Sequence, residues 1–327
     1  MIKSATIDLN TYCNQSCVWC YNMSRLDASH QISEKTFDNI LIKLVENDCH
    51  NLLLIGGEPT LHPLLPYFII KAIEAGIDKV FIVSNGYHIH KDFFDVLKNH
   101  QSNVIVNVSI HGSKKEIHEK LTQTPGSFDA LISNINAYHK HGFVVNAQTT
   151  VCRSNQNDIL RILSILEEND IKDVLFNYCM RPIGANVEDC DEFISVSMFC
   201  DSISKAVNNY FGKVHIEAGP HLPKCITTAK FQELINNERI NINYGCGFNM
   251  NYITFDPCGN VLLCLHLPDL TMGNIDNIDN LSTFLQETNA KVNSYRRHPM
   301  SRCKDCNSIS DCFGGGCPLL WITNKFE

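Results

Sequence analysis

The stretch Ala5-Thr-Ile-Asp-Leu-Asn-Thr-Tyr-Cys13-Asn-Gln-Ser-Cys17-Val-Trp-Cys20 begins with a short apolar run and ends with three closely spaced cysteines. The apolar run predicts a first β-strand, so the cysteines lie in the loop that follows it. Iron–sulfur clusters are held by cysteine thiolates, and a complete cubane normally takes four of them. Three cysteines in one loop therefore suit a [4Fe–4S] cluster with one iron left open. A zinc knuckle and plain buried cysteines are the alternatives.

Five further strands are predicted after this loop, with helical stretches between them. Asn51-Leu-Leu-Leu-Ile55 is a continuous apolar run, which is typical of a parallel strand buried on both faces. The other predicted strands cover residues 79–83, 103–110, 143–150 and 174–178. Strands that alternate with helices form βαβ units, so we predict an α/β fold with a parallel sheet and right-handed crossovers.

Candidate binding residues follow these strands at their carboxyl ends, where ligands gather in parallel sheets. Gly56-Gly57-Glu58-Pro59 follows the second strand. Its glycines allow close backbone approach and positive φ, and Glu58 can accept a hydrogen bond from an ammonium group. A simple strand-to-helix turn is the alternative. The other candidates at this edge are Ser84 with Asn85, Ser109 with His111-Gly112, Gln148 with Thr150, and Arg181, which could contact a carboxylate bidentately.

The spacing of Cys13, Cys17 and Cys20, with Trp19 before the last cysteine, resembles the signature of the radical S-adenosylmethionine (SAM) superfamily. The six predicted strands match the open, partial (β/α)6 TIM-like barrel of that family. The resemblance implies that the three thiolates hold a [4Fe–4S] cluster and that SAM chelates its fourth iron. One electron from the reduced cluster would cleave SAM to a 5′-deoxyadenosyl radical, which removes hydrogen from a substrate carbon.

The same resemblance implies SAM-binding roles for residues after the later strands. The loop from Gly56 to Pro59 would hold the methionine amino group of SAM. Ser84, Asn85 and Ser109 would lie near the methionine carboxylate and the ribose, Trp19 would lie near the adenine, and Arg181 would be a further cofactor contact. Structural roles stay open for these residues, because Ser-Asn-Gly is a common turn composition and Arg181 could be a surface residue.

Half of the 16 cysteines lie after residue 219, at Cys225, Cys246, Cys258, Cys264, Cys303, Cys306, Cys312 and Cys317. In a long chain without an export signal, they indicate metal or redox chemistry rather than disulfides. Asp256-Pro-Cys-Gly259 predicts a hairpin turn with Cys258 near its tip. Cys303-Lys-Asp-Cys306, with further cysteines close behind, has metal-ligand spacing.

This tail resembles the SPASM domain, which carries one or two auxiliary [4Fe–4S] clusters. Carried over by position, the ligand sets are Cys246, Cys264 and Cys317 for one cluster and Cys303, Cys306 and Cys312 for a second. The chain departs from the pattern: four residues separate Cys312 from Cys317 where three are usual, and the expected final cysteine is missing. The fourth ligand could be Cys225, Cys258, a non-cysteine group or substrate, or there could be none. A structural zinc site over residues 303–317 and a hydrogen-donor role for Cys225 also stay open.

The end of the alternation of strands and helices and the start of the cysteine-rich tail divide the chain into three predicted segments. A radical SAM partial barrel covers residues 1–185, and a bridging segment with an amphipathic helix near 195–211 and a strand at 213–217 covers residues 186–240. A cysteine-rich α+β SPASM-like domain covers residues 241–327.

Charge and hydropathy exclude several kinds of partner. The 27 Lys and Arg against 35 Asp and Glu give a net charge of −8 without a long basic block, which argues against nucleic acid. The first residues lack a signal peptide, and no apolar run approaches the roughly 20 residues that cross a bilayer. We therefore expect a cytoplasmic protein that does not enter a membrane.

Three functions fit the residues and the resemblance. The first is a radical SAM enzyme, with oxidoreductase or isomerase-type chemistry, that crosslinks, epimerises or oxidises a ribosomally synthesised peptide (RiPP). Because the core begins at residue 5, a separate protein would bind the leader peptide. The second is a dehydrogenase or epimerase of a sugar, aminocyclitol or amino acid, and the third is a non-catalytic metal-binding protein. Flavodoxin or ferredoxin would be the external electron donor.

Overall fold

The structure of the chain is a computed structural model that describes residues 2–22, 30–180, 190–220, 222–242, 252–267, 270–295, 303, 305–307 and 316–320. Eleven strands within these ranges form one sheet. They are β1 Ser4–Asp8, β2 Asn51–Ile55, β3 Lys79–Ser84, β4 Val104–Ser109, β5 Val144–Val151, β6 Asp173–Tyr178, β7 His215–Gly219, β8 Asn241–Ile242, β9 Tyr252–Phe255, β10 Asn260–Leu262 and β11 Thr271–Asn274.

Helices connect most of the neighbouring strands. In the described ranges they are α1 Glu34–Val45, α2 Leu65–Glu74, α3 Phe93–Leu97, α4 Lys115–Thr122, α5 Ser127–Lys140, α6 Ile159–Glu168, α7 Val196–Asn208, α8 Ala229–Asn236 and α9 Leu281–Tyr295. Each α-helix that follows one of the first five strands leads to a strand parallel to it. The predicted α/β fold with consecutive parallel strands is confirmed.

The sheet order is β11-β10-β9-β1-β2-β3-β4-β5-β6-β7-β8. Strands β1 to β8 pair in parallel with their neighbours in sequence order, so all their carboxyl ends meet at one edge. At the other side of β1 the sheet continues with β9, which is also parallel to β1. Strands β10 and β11 then pair antiparallel.

Local sequence signals explain why these elements begin where they do. Ser33 caps α1, since its hydroxyl accepts a hydrogen bond from Thr36 N at 3.0 Å. The apolar faces of the helices pack against the sheet, and Phe37 of α1 stacks on Phe68 of α2 with ring centroids 4.1 Å apart. Leu52 and Leu54 of β2 are fully buried in the same core.

Several elements differ from the sequence-based expectations. The strand expected at 213–217 lies at His215–Gly219 and extends the sheet beyond β6. Helix α8 and the strands β8 and β11 were not predicted, because their stretches are short and rich in polar residues. The predicted hairpin forms as β9 and β10, but its pairing with β1 was not foreseen.

Candidate active site

A cavity of about 900 Å³ occupies the inner face of the sheet and its carboxyl edge. Its walls include side chains from the loop after β1, the ends of β2 to β6, and residues 263–266 and 316–319 of the cysteine-rich tail. Since parallel strands bring their carboxyl ends together, loops that are far apart in the chain share this one space. The cavity is therefore the candidate active site.

The three cysteines of the first loop line this cavity and are each half-buried. Backbone hydrogen bonds hold the loop on the end of α4: Ser16 N donates to Thr122 O at 3.2 Å and Val18 N to Leu121 O at 3.1 Å. A further bond from Cys20 N to Cys17 O at 3.0 Å closes a turn between the last two thiols. These hydrogen bonds hold in place the backbone that carries the three sulfurs.

The environment of these sulfurs suits a metal cluster. Cys13 Sγ faces two donors, Gln15 N at 3.4 Å and Asn85 Nδ2 at 3.7 Å, and hydrogen bonds to sulfur tune iron–sulfur clusters. Burial raises the pKa of Cys13 to about 11 and raises that of Cys17 further, with the nearby thiols adding to the effect in both cases. Binding a cluster therefore releases protons from this loop. Within the described ranges, no three His, Cys, Asp or Glu side chains converge on a single-ion site.

Glu58 is fully buried and joins two neighbouring loops. Its Oε1 accepts hydrogen bonds from Thr60 N at 3.0 Å, Thr60 Oγ1 at 2.6 Å and Ser84 Oγ at 2.8 Å, and its Oε2 accepts one from Asn85 N at 2.7 Å. Burial raises the pKa of the Glu58 carboxyl, and these donors offset part of that rise. The side chain lies behind the cavity wall formed by Gly56, Gly57, Ser84 and Asn85.

Gly56 and Gly57 are glycines for a different reason from the one expected. Neither has positive φ, so that part of the expectation was wrong. The loop after β1 presses directly on them: a Cβ on Gly57 would lie 2.1 Å from Tyr12 O, and one on Gly56 would lie 2.3 Å from Asn10 Oδ1. The first two loops are joined by hydrogen bonds from Gly57 N to Asn10 O at 2.6 Å and from Glu58 N to Tyr12 O at 2.9 Å. The paired glycines thus allow the cysteine loop and the loop after β2 to touch.

Ser84 and Asn85 connect this assembly to the cysteine loop. Ser84 Oγ accepts a hydrogen bond from Gly86 N at 3.0 Å while it donates to Glu58. Asn85 Nδ2 donates to Asn14 Oδ1 at 2.7 Å and lies near Cys13 Sγ. Gly86 has φ +68°, which lets the chain turn at the cavity edge. Pro59 is buried and begins the turn that Glu58 caps.

The ends of β4 and β5 form a further part of the cavity wall. Ser109 Oγ accepts a hydrogen bond from Gln148 Nε2 at 3.0 Å, and both residues line the cavity. Trp19 also lines it, with its ring edge-on to His111 at 4.9 Å between centroids. The sequence placed His111 and Gln148 at strand ends without giving either a role. The alternation of β4 and β5 could have indicated that Ser109 and Gln148 are neighbours on one face.

The cysteines of the tail are divided between the cavity and the surface. Cys264 and Cys317 line the cavity, Cys303 is buried and Cys306 is half-buried. Cys225, in a short turn, and Cys258, at the hairpin tip, are exposed, and neither belongs to the cavity lining. Cys246, Cys312 and Arg181, which the sequence also put forward, lie outside the described residues. The structure thus brings Cys264 and Cys317 to the same space as the first three cysteines.

Four of the five remaining cysteines are buried in the fold. Cys49 and Cys200 belong to the main core. Cys152 and Cys179 follow β5 and β6 directly and pack with Leu121, close to Trp19. Cys190 is half-buried, and its Sγ donates to Val18 O at 3.5 Å. Burial raises the pKa of the Cys49 thiol to about 11 and that of Cys200 to about 12, so these two stay protonated at neutral pH.

The comparisons with known proteins agree with this geometry. The model of the radical SAM superfamily matches residues 7–165. The antilisterial bacteriocin subtilosin biosynthesis protein AlbA of Bacillus subtilis (strain 168) is 28% identical over 159 residues, which are 47% of this chain and 34% of that protein. Fe-coproporphyrin III synthase of Methanosarcina barkeri is 29% identical over 165 residues, 50% of this chain and 41% of that protein. The matched region is thus less than half the length of either relative.

The fold resembles that of Streptococcus suis SuiB. The SuiB structure with bound S-adenosylmethionine gives a TM-score of 0.77 at 17% identity and covers 99% of this chain and 75% of SuiB. The SuiB structure with its precursor peptide SuiA gives a TM-score of 0.76 at 16% identity and covers 99% of this chain and 74% of SuiB. The likeness extends beyond residue 165 into the cysteine-rich tail. No helix among the described residues is long and apolar enough to cross a membrane.

Proposed function

Because residues 7–165 of this chain match the radical SAM superfamily and the likeness to the SuiB fold continues into the cysteine-rich tail, we propose that the protein is a radical SAM enzyme that modifies a ribosomally synthesised peptide. One observation carries the proposal. Cys13, Cys17 and Cys20 lie on the wall of a 900 Å³ cavity beside the Gly56–Gly57 loop, Asn85 and Ser109. The sequence brings these groups from four separate loops to one edge of the sheet.

The residues present fit a [4Fe–4S] cluster and SAM. Cys13, Cys17 and Cys20 would hold the cluster, and bound SAM would supply a radical that can remove hydrogen from an unactivated carbon. The backbone at Gly56 and Gly57 lines the cavity. Its carbonyl groups can accept from the amino group of SAM, while the buried Glu58 keeps the loop in position.

The chain's own residues supply placement and shielding. Asn85 connects the loop after β3 to Asn14 and Cys13, so movement of one loop would displace the others. Trp19 covers part of the cavity wall with an aromatic surface suited to the adenine of SAM. Leu263, Leu265 and Leu319 of the tail add apolar surface to the cavity wall, which would help to exclude water.

Peptide modification is supported by the relatives and by the polar residues that line the cavity. AlbA takes part in subtilosin biosynthesis and SuiB binds the precursor peptide SuiA. The inner face of the sheet adds Asn107, Asn146, Gln148 and Asn177, whose amides can hydrogen-bond a peptide backbone. Modification of a small molecule is the second candidate, because Fe-coproporphyrin III synthase is similar to the same half of the chain.

Auxiliary clusters and further partners complete the proposal. Cys246, Cys264 and Cys317 would hold one auxiliary cluster, and Cys303, Cys306 and Cys312 a second. Cys258 stays a candidate for a missing ligand, and Cys225 for a ligand or a hydrogen donor. Arg181 would contact the cofactor. We place the enzyme in the cytoplasm with flavodoxin or ferredoxin as electron donor and a separate leader-binding protein.

The test is cluster content followed by SAM cleavage. After anaerobic reconstitution, iron, sulfide and visible absorbance should indicate clusters, and dithionite with SAM should yield 5′-deoxyadenosine. Cys17→Ala should abolish this product, whereas Cys49→Ala, a matched change at a core cysteine, should retain it. Zinc without sulfide, or undiminished product from Cys17→Ala, would refute the mechanism. Incubation with candidate peptides and mass spectrometry then tests the substrate class.

A further inference from the structure

His111 is a cavity residue that is fixed on three sides. Its Nδ1 accepts a hydrogen bond from Thr150 N at 3.2 Å, and its backbone N donates to His118 Nδ1 at 3.2 Å. Its backbone carbonyl accepts from Asn155 Nδ2 at 3.0 Å. Rotation of the ring would therefore break its hydrogen bond to the end of β5, while the two backbone contacts hold the residue itself in place.

These contacts also determine which ring nitrogen carries the proton. Burial lowers the pKa of His111 to about 3, with a smaller effect from His118, so the imidazole is neutral at physiological pH. Because Nδ1 accepts from Thr150 N, the proton of the neutral ring is on Nε2. His111 is 5% exposed, and no described residue accepts a hydrogen bond from Nε2. The ring thus offers one fixed N–H donor to the cavity.

The surroundings of this donor favour an aromatic, hydrogen-bonding ligand. Trp19 stands edge-on to the imidazole at 4.9 Å, and Ser109, two residues earlier, lines the same wall. Adenine has ring nitrogens that accept hydrogen bonds and a face that packs on aromatic residues. We propose that His111 Nε2–H donates a hydrogen bond to the adenosine part of SAM. This inference rests on the proposed function and adds a binding residue to it.

Two substitutions separate this role from a purely structural one. In His111→Asn, the side-chain oxygen can replace Nδ1 and accept from Thr150 N, but the donor to the cavity is lost. In His111→Gln, the amide nitrogen can reach the position of Nε2, while the contact to Thr150 is lost. The two variants therefore remove the two functions of the ring one at a time.

The measurement is the Kd of SAM for reconstituted, unreduced protein, by calorimetry under anaerobic conditions, so that no turnover occurs. We expect His111→Asn to weaken SAM binding about five- to tenfold, the range of one net hydrogen bond, and His111→Gln to stay within about twofold of the parent. The unfolding midpoint of each variant is measured in parallel. Weak binding by His111→Gln with normal binding by His111→Asn would overturn the inference, as would equal losses in both.

A parent protein that holds its cluster but does not bind SAM would show that the proposed function itself is wrong. That outcome is distinct from one in which the parent binds SAM and the variants contradict the role of His111.

Discussion

Ser84 donates a hydrogen bond from its hydroxyl to Glu58 Oε1 at 2.8 Å and so ties the loop after β3 to the loop after β2. Three more donors, from Thr60 and from Asn85 N, share the same carboxylate. A buried acceptor with four donors positions the loops around it, since each donor would otherwise lack a partner. The cavity wall in front of Glu58 depends on this arrangement.

Glu58→Gln should therefore weaken both the fold and SAM binding. The substitution turns one carboxylate oxygen into an NH2 group that faces existing donors, which leaves buried polar groups without partners. We expect the free energy of unfolding to fall by about 1–3 kcal/mol. Denaturant unfolding and SAM affinity measure the two effects. Glu34→Gln is the control, because Glu34 is exposed and bonds to Tyr67 and Lys71. An equally small effect of both changes would argue against a positioning role for Glu58.

Gly57→Ala should disturb the cysteine loop. The added methyl would lie 2.1 Å from Tyr12 O, a backbone atom, so the first two loops must separate. We expect a loss of about 1–3 kcal/mol in unfolding free energy and a reduced yield of the cluster on reconstitution. Gly126→Asn is a suitable control, since the space there is open and Asn tolerates positive φ. Normal cluster absorbance in Gly57→Ala would contradict the prediction.

The stability of the protein should fall as the pH is lowered below 6.5. Burial lowers the pKa of His111 to about 3 and that of His118 to about 4, from an ordinary value of 6.5. Between these values the unfolded chain binds protons that the folded chain does not. Each histidine then lowers the free energy of unfolding by up to about 1.4 kcal/mol for each unit by which the pH falls. The contribution of the two buried, neutral histidines to the free energy of unfolding is complete above pH 6.5 and is lost as the pH falls towards 4.

Denaturant unfolding from pH 7 to pH 4 measures this slope. His118→Asn removes one titrating ring while its oxygen can still accept from His111 N, so its slope should be shallower than that of the parent. Parallel slopes for parent and variant would show that His118 is protonated in the folded state.

Cys264→Ala and Cys258→Ala should differ in their effect on metal content. Cys264 lines the cavity, whereas Cys258 is exposed at the hairpin tip. We expect Cys264→Ala to lose an auxiliary cluster, with iron and sulfide falling together, and Cys258→Ala to retain the parent content. Iron, sulfide and electron paramagnetic resonance of the reduced protein make the comparison. Full metal content in Cys264→Ala would remove Cys264 from the ligand set.

Local pattern was sufficient to predict the first six strands and their order. Continuous apolar runs such as residues 51–55 are specific for buried parallel strands, and helices between them impose the topology. The same logic placed the cysteines, Gly56, Asn85 and Ser109 at one edge. Strands β7 and β8 extend the sheet, but β8 has only two residues, too few for any period to be visible.

The contacts between loops could not be predicted from the sequence. The local sequence pattern does not indicate that Tyr12 O leaves no room for a side chain at residue 57. It also does not indicate that the Glu58 carboxylate accepts hydrogen bonds from two loops. The role proposed for His111 was not predicted for the same reason, because its orientation depends on Thr150, which is 39 residues away. Such long-range contacts arise only when the sheet brings its strand ends together.

The pairing of β9 with β1 has a consequence for protein engineering. The strand that carries the cysteine loop is an interior strand only because residues 252–255 of the tail hydrogen-bond along its outer side. A chimera that exchanges the tail must therefore supply a matching strand in the same register, with Ser4 opposite Tyr252. Without it, the outer side of β1 would become an open edge that invites self-association.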